Sequence, residues 1–285
     1  MLSAKLARSS APAKSVAALL GSNAWHLTCK CLASLMSELP ATIWLVRHGE
    51  SAGNVAHSAA ERSGASTISI DGRDVDVPLS PLGERQARAL GDWFHEQPEG
   101  KQPTVILSSP YVRARQTSEL ILERAGIAHP LFAATDERLR EKEFGTLNRF
   151  TRAGILATFP EEARRRTEIG KFYYRPPGGE SWCDVILRLR SVVDQLQLRH
   201  AGQRVLIVAH QVIVLCFRYL LEDLDEQRLL DIDRSGDVAN CSLTSYELSS
   251  KDGAESLQLR AYNFLAPLEQ AGAPVTAEPD AAATK

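Results

Sequence analysis

Residues 43–54 read Ile43-Trp44-Leu45-Val46-Arg47-His48-Gly49-Glu50-Ser51-Ala52-Gly53-Asn54. The first four form a short continuous apolar run, the pattern of a β-strand buried on both faces. The run stops on an arginine, a histidine and a glycine. Two further runs of this kind end similarly. Thr104-Val105-Ile106-Leu107 leads into Ser108-Ser109-Pro110 and Arg113, and Val205-Leu206-Ile207-Val208-Ala209 leads into His210.

Helical text lies between these strands. Ser80-Pro81 supplies an N-cap with proline at the first helical position and opens a helix to about Gln97. Tyr111 to Arg124 reads as a helix that Gly126 closes. Ser181 and Asp184 form a capping box that launches a long helix to about His200, and Val212 to Leu221 is another. Residues 151–170 are helical in composition but interrupted by Pro160. Leu131-Phe132-Ala133 is a weaker strand, and Cys241–Leu248 and Leu257–Phe264 alternate as an antiparallel edge pair. The polar, glycine-containing stretch between Val55 and Val77 reads as a loop with at most one short element. Strand–helix alternation over about 230 residues predicts an α/β fold. It is a three-layer, doubly wound, mostly parallel central sheet with helices on both faces; no internal repeat interrupts it.

Composition narrows the function classes. The 285 residues are 44% hydrophobic and 24% charged, with a net charge of −2, which is globular and not disordered. Near-neutral charge argues against nucleic acid or an anionic membrane as the main partner, though a local basic pocket is compatible with it. No apolar run approaches the ~18 residues of a membrane span. The five cysteines follow no close, even framework, which fits a reduced compartment.

The ends differ from the middle. The first acidic residue is Glu38, and residues 1–35 are positive, Ser-rich and acid-free. They read either as an organelle transit peptide or as an over-called start ahead of Met36. Cys29 and Cys31 lie in this leader, and two thiols do not complete a zinc site of about four ligands. Residues 36–266 are expected to form one domain, and the Ala-, Pro- and Thr-rich residues 267–285 a disordered tail. A cytoplasmic location is expected, or an organelle if the leader is a genuine transit peptide.

Chemistry collects where the strands end, which is where open α/β sheets bind ligands. Two histidines, His48 and His210, and two arginines, Arg47 and Arg113, converge there on pattern alone. Arginine presents a planar fork matching phosphate oxygens. Histidine serves as nucleophile or proton carrier near neutrality. Gly49 is expected to let the backbone approach a ligand closely, and Asn54 adds amide donors. Two arginines and two histidines form a charge clamp for phosphoryl transfer. No carboxylate cluster or His-x-x-x-His spacing points to a metal, and no cofactor is expected. Arg164-Arg165-Arg166 reads as a solvated face, and His57, His95, His129 and His200 are assigned nothing.

The segment Leu45-Val46-Arg47-His48-Gly49-Glu50-Ser51 with Asn54 resembles the signature of the histidine phosphatase superfamily, whose fold is phosphoglycerate mutase-like. Four more landmarks follow in order: Asp76 to Gly83 with Gln86-Ala87, Ser109 to Thr117, Leu139 to Gly145, and Val208-Ala209-His210. The resemblance implies that His48 is the nucleophile, forming a phosphohistidine. It implies that Arg47, Asn54, Arg113 and His210 hold the phosphoryl oxygens. Glu141 would protonate the leaving oxygen and then act as base toward water. Glu143 is its rival, and Glu141 is favoured because the family acid stands four residues before the glycine, here Gly145.

The interval from Glu141 to His210 lacks the longer insertion and Pro-rich lid of the cofactor-dependent phosphoglycerate mutases. Phe159 to Glu162, Tyr174 to Ser181, and Gln211 are instead similar to the fructose-2,6-bisphosphatase domain of bifunctional enzymes. Arg175 would aim a positive group at the substrate's non-reacting end near the N-terminus of the helix starting at Trp182, and Gln211 would contact substrate beside His210. Phe159 and Gly178 stand where those bisphosphatases carry tyrosine and, commonly, lysine. No Gly-x-x-x-x-Gly-Lys-Ser/Thr loop occurs, so no accompanying kinase is expected. The implied activity is a metal-independent phosphomonoesterase acting on a small phosphorylated metabolite. A mutase-type transfer and a phospho-ligand-binding regulator without turnover are the alternatives. The oligomeric state is not legible.

Overall fold

The computed structural model describes residues 39–251 and 254–279. The leader expectation therefore lies outside the described residues. In chain order the elements are β1 (Thr42–Arg47), α1 (Ala52–Ser63), α2 (Pro81–Glu96), β2 (Val105–Ser108), α3 (Val112–Ala125) and β3 (Phe132–Thr135). There follow α4 (Arg152–Thr158), α5 (Pro160–Ile169), α6 (Trp182–His200), β4 (Arg204–Ala209), α7 (Gln211–Leu221) and α8 (Glu226–Ser235). The antiparallel strands β5 (Leu243–Lys251) and β6 (Ala254–Phe264) precede a short α9 (Ala266–Gln270).

The six strands form one sheet in the order β3-β2-β4-β1-β5-β6. β1, β2, β3 and β4 run parallel, and β5 and β6 close one edge antiparallel, as expected. The apolar runs alternate between two packed faces because successive strand residues point to opposite sides. Ile43 and Leu45 of β1, with Val205 and Ile207 of β4, meet Val185, Leu189 and Val192 of α6 and Ile213 of α7. Trp44 and Val46, with Leu206 and Val208, meet Leu90 and Phe94 of α2 and Ile121 of α3. Each fully buried side chain of this size stabilises the fold by roughly 1.5–3 kcal/mol. That two-sided burial is why these strands carry no polar alternation.

Local signals set the helix ends. Ser80 caps α2 by accepting from the Gly83 amide with Pro81 at its first position, and Ser181 and Asp184 form the expected capping box of α6. Pro160 separates α4 from α5, and Gly126 closes α3 at φ 72°. Two expectations are corrected. The element allowed between Val55 and Val77 is longer than expected: it is the C-terminal part of α1, a 12-residue helix started ahead of the stretch by a Ser51/Asn54 capping box. Residues 267–279 are not a free tail: α9 packs Leu268 against Ala87 and Cys241, and the chain then runs back to the strand-end rim.

Candidate active site

The strand-end rim carries the residues the sequence placed there. Arg47, His48, Asn54, Arg113, Glu141, His210 and Gln211 are all buried. His48 follows β1, and its amide donates to the Ala209 carbonyl at 2.9 Å, tying the two parallel strand ends together. His48 Nδ1 lies 2.7 Å from the Gly49 carbonyl, and Arg113 Nε donates to His48 Nε2 at 3.2 Å. That pair of contacts assigns the tautomer: Nδ1 carries the proton, and the Nε2 lone pair accepts from Arg113. The His210 ring lies 5.1 Å from His48, edge to face, and His210 Nε2 is 2.8 Å from Ser109 Oγ.

Arg113 comes from the first turn of α3. Its Nη1 donates to the Asp74 carbonyl at 2.8 Å and to Asp74 Oδ1 at 3.2 Å, and its guanidinium lies 4.7 Å from the Tyr111 ring. Tyr111 also packs edge-on to His210. Burial, reinforced by Asp74, Glu143 and Glu141, pushes the Tyr111 phenol far up, so it stays protonated. Arg47 Nη1 donates to the Val238 carbonyl at 2.7 Å. Asn54 is fixed through its Oδ1, which accepts from the Ser51 amide at 2.9 Å, leaving its amide nitrogen directed at the returning chain.

That returning chain is an unforeseen part of the site. Arg47 Nη2 donates to the Glu278 carbonyl, and Asn54 Nδ2 donates to the Glu278 and Pro279 carbonyls at 3.1 and 3.3 Å. Gln86 Nε2 holds the Pro274 carbonyl at 2.9 Å, and the Asn240 amide holds the Thr276 carbonyl at 2.8 Å. The segment thus ends with carbonyl oxygens on two of the groups expected to bind phosphoryl oxygens.

Glu141 and Glu143 sit in the turn between two 3₁₀ segments, Glu137–Leu139 and Gly145–Leu147. Glu180 anchors that turn, accepting from Arg140 at 2.8 Å, Arg188 at 2.9 Å and the Glu143 amide at 3.0 Å. Glu141 Oε1 accepts from the Lys142 amide at 2.7 Å. Glu143 Oε1 accepts from the Gly145 amide at 3.2 Å, which spends it partly on the turn itself. Lys142 lies buried beside Glu141 with its ammonium 4.4 Å from the Phe144 ring; burial draws its pKa down to about 8.

Three expectations change in detail. Gly49 serves the protein rather than a ligand: a Cβ there would sit 2.5 Å from the Gly83 carbonyl, and one on Gly83 would sit 2.0 Å from the Glu50 carbonyl. Both glycines let the loop after β1 cross the start of α2. Arg175 carries no spare charge toward the rim; it is mostly exposed and doubly bonded to Asp184 at the N-terminus of α6, with Nε donating at 2.7 Å. Gln211 Nε2 donates to Asp237 Oδ1 at 2.9 Å, placing it against a carboxylate.

Sequence reasoning missed Asp74 and Asn240. Asp74 stands just ahead of the landmark that begins at Asp76, so a signal existed. Asn240 donates to the His48 carbonyl at 3.0 Å from the segment leading into β5. Because β5 is antiparallel to β1, its beginning lies at the end of β1, and Val46 pairs with Leu243. A search of strand carboxyl ends alone passes over it.

Among the described residues no group of three or more His, Cys, Asp or Glu side chains could hold a metal ion, and no helix is long and apolar enough to cross a membrane.

The family model of the histidine phosphatase superfamily (branch 1) matches residues 43–261. The chain is 32% identical over 224 residues to the 6-phosphofructo-2-kinase/fructose-2,6-bisphosphatase of Caenorhabditis elegans, covering 75% of this chain and 43% of that one. It thus spans less than half of that bifunctional relative. It is 30% identical over 204 residues to the probable phosphoglycerate mutase GpmB of Yersinia enterocolitica, covering 71% and 82%. Among solved structures, the mycobacterial glucosyl-3-phosphoglycerate phosphatase complexed with VO3 superposes with a TM-score of 0.60 at 27% identity, covering 79% of this chain and 99% of that one.

Proposed function

The chain belongs to the histidine phosphatase superfamily, and from that premise we propose that it is a phosphomonoesterase that works through a phosphohistidine on His48. The observation that carries this reading is the His48 ring itself. Its Nδ1 is tied to the Gly49 carbonyl and its Nε2 faces the Arg113 guanidinium. A neutral imidazole with its lone pair beside a fixed cation is a nucleophile already aimed where a phosphoryl group would be bound.

In the proposed cycle, His48 Nε2 attacks phosphorus, the N–P bond forms and the P–O ester bond breaks. Arg47, Arg113, Asn54 and His210 supply donors to the three equatorial oxygens as charge spreads over them. Glu141, protonated at the outset, gives its proton to the leaving oxygen. Water then attacks phosphorus, Glu141 takes the proton of that water, the N–P bond breaks, and His48 returns neutral. The substrate proposed is a small phosphorylated metabolite.

The test is metal-independent release of phosphate by the purified chain, together with trapping of an acid-labile phosphoenzyme. His48→Ala is expected to abolish both. Undiminished turnover in that variant sinks the proposal. Isomerisation of a phosphoglycerate by enzyme primed with a bisphosphorylated cofactor, exceeding hydrolysis, moves the assignment to a mutase. Binding without turnover in the intact chain moves it to a regulatory phospho-ligand receptor.

A further inference from the structure

The arginine run 164–166 is not one uniform face. Arg164 pairs with the exposed Glu161 and Glu168, and the exposed Arg165 reaches Glu162, whose own side chain is mostly buried. Arg166 turns the other way, into a cavity of about 380 Å³ between α4 and α5 that Arg152 and Lys171 also line. Lys171 is already matched by Asp233. The Arg166 side chain makes no hydrogen bond and no ion pair with any described residue, and neither does that of Arg152.

The one carboxylate lining the cavity, Glu162, is committed to Arg165 and to the Tyr174 hydroxyl, which leaves the two guanidinium groups there with no ion pair of their own among the described residues. Like charges in a partly desolvated space repel, and the cost falls only when an anion joins them. Burial pushes the Arg166 guanidinium below its ordinary value, and Arg152 adds to that push. The floor of the cavity is apolar, formed by Leu147 and Ile155. That combination suits an anionic group attached to a carbon skeleton.

The cavity shares a lining residue with the surroundings of the rim. Arg152 also lines a second cavity bounded by Glu278 and Pro279, the residues whose carbonyls rest on Asn54 and Arg47. On the other side Lys142, next in the chain to Glu141, feels the charges of both Glu141 and Arg166.

We propose that Arg152 and Arg166 form a second anion subsite, which takes the non-reacting phosphate or carboxylate of the substrate. The preferred substrate is then a phosphomonoester that carries a further acidic group. This rests on the phosphomonoesterase reading of the rim, and it assigns to Arg152 and Arg166 the duty expected of Arg175.

The test compares matched compounds as competitors of p-nitrophenyl phosphate hydrolysis by the full chain. Glycerol 3-phosphate has one anionic group, and 3-phosphoglycerate adds a carboxylate to nearly the same skeleton. Fructose 1,6-bisphosphate supplies a second phosphate. In the parent protein at least one doubly anionic compound is expected to bind tenfold or more tighter than glycerol 3-phosphate. In Arg166→Met and Arg152→Gln that ratio collapses toward one, and Arg166→Lys restores part of it. Equal inhibition constants in the parent protein overturn the proposal. So does a variant that weakens all three compounds alike, which marks a structural role. Sulfate that relieves or stimulates hydrolysis of p-nitrophenyl phosphate, with no ratio to collapse, makes the cavity an effector site and also overturns it. If the chain hydrolyses nothing, the catalytic reading fails first. The subsite is then judged by calorimetric titration of the same three compounds into parent and Arg166→Met protein.

Discussion

Arg47 Nη2 and Asn54 Nδ2 cannot serve both the Glu278 and Pro279 carbonyls and a bound phosphoryl group, so removing residues 275–285 is expected to tighten phosphate binding. The size of the effect follows from what must move. The Arg47 bond to a carbonyl is charge-assisted and contributes about 1.5–3 kcal/mol, and the two neutral Asn54 bonds about 1 each. Releasing the two residues regains roughly 1–2 kcal/mol of backbone freedom each. The difference leaves the docked end favoured by about 1 kcal/mol, which lowers the apparent affinity of a competing anion roughly fivefold. The assay is competitive inhibition of p-nitrophenyl phosphate hydrolysis by inorganic phosphate and by vanadate, in full-length and shortened protein. Both inhibition constants should fall about fivefold on truncation. Thr276→Ala, which loses the hydroxyl partner of Gln86 and Asn240 but keeps the chain, should show the same direction with a smaller size. Inhibition constants that stay the same or rise refute the reasoning, because the carbonyls would then be replaced at no cost or would form a wall that the ligand needs.

The other predictions concern the rim and its supports. Arg113→Lys removes the Nε donor to His48 and the fork on Asp74, and kcat is expected to fall by about 10²–10³; steady-state kinetics showing less than a tenfold loss contradict the role. Gly83→Ala drives a Cβ to 2.0 Å from the Glu50 carbonyl, so urea unfolding should report a loss of at least about 2 kcal/mol. Burial holds Lys142 at a pKa of about 8, below the unfolded chain's ordinary lysine value. Between those two pH values the folded state binds fewer protons, so this residue makes stability rise with pH across that window. Lys142→Met should accordingly raise stability by about 3 kcal/mol at pH 7 and progressively less toward pH 10; a pH-independent gain in calorimetric melts speaks against the charge as its cause.

The strands and the rim were legible because they rest on dense signals. Continuous apolar runs can be buried only on both faces of a sheet, and the residue after such a run must stand at the edge. α1 was illegible for the opposite reason. Its buried positions are Asn54, His57 and Ala60, so no apolar stripe marks it, and a polar capping box starts it. The order of the C-terminal stretch is not legible in its composition, because it comes from Gln86, Asn240, Asn54 and Arg47 on the body of the protein. Arg166 was hidden among Arg164 and Arg165 because a helical charge run does not say which member turns inward.

The partners of the groups proposed to bind phosphate differ in kind, and on that proposal the difference orders events at the rim. Arg113 is held by a carboxylate, Asp74, through both a carbonyl and a side-chain oxygen. Exchanging that carboxylate for a phosphoryl dianion means moving charge, which is slow to give and fixes Arg113 in place beside His48. Arg47 and Asn54 also donate to backbone carbonyls of residues 278–279, neutral dipoles whose departure carries no charge away. On the proposed reading a phosphoryl group enters from the side of Arg47 and Asn54, displacing dipoles first, and meets Arg113 and His48 already aligned. On this argument the terminal segment tunes affinity while Arg113 and Asp74 tune the chemical step, so variants of the two groups should separate KM from kcat.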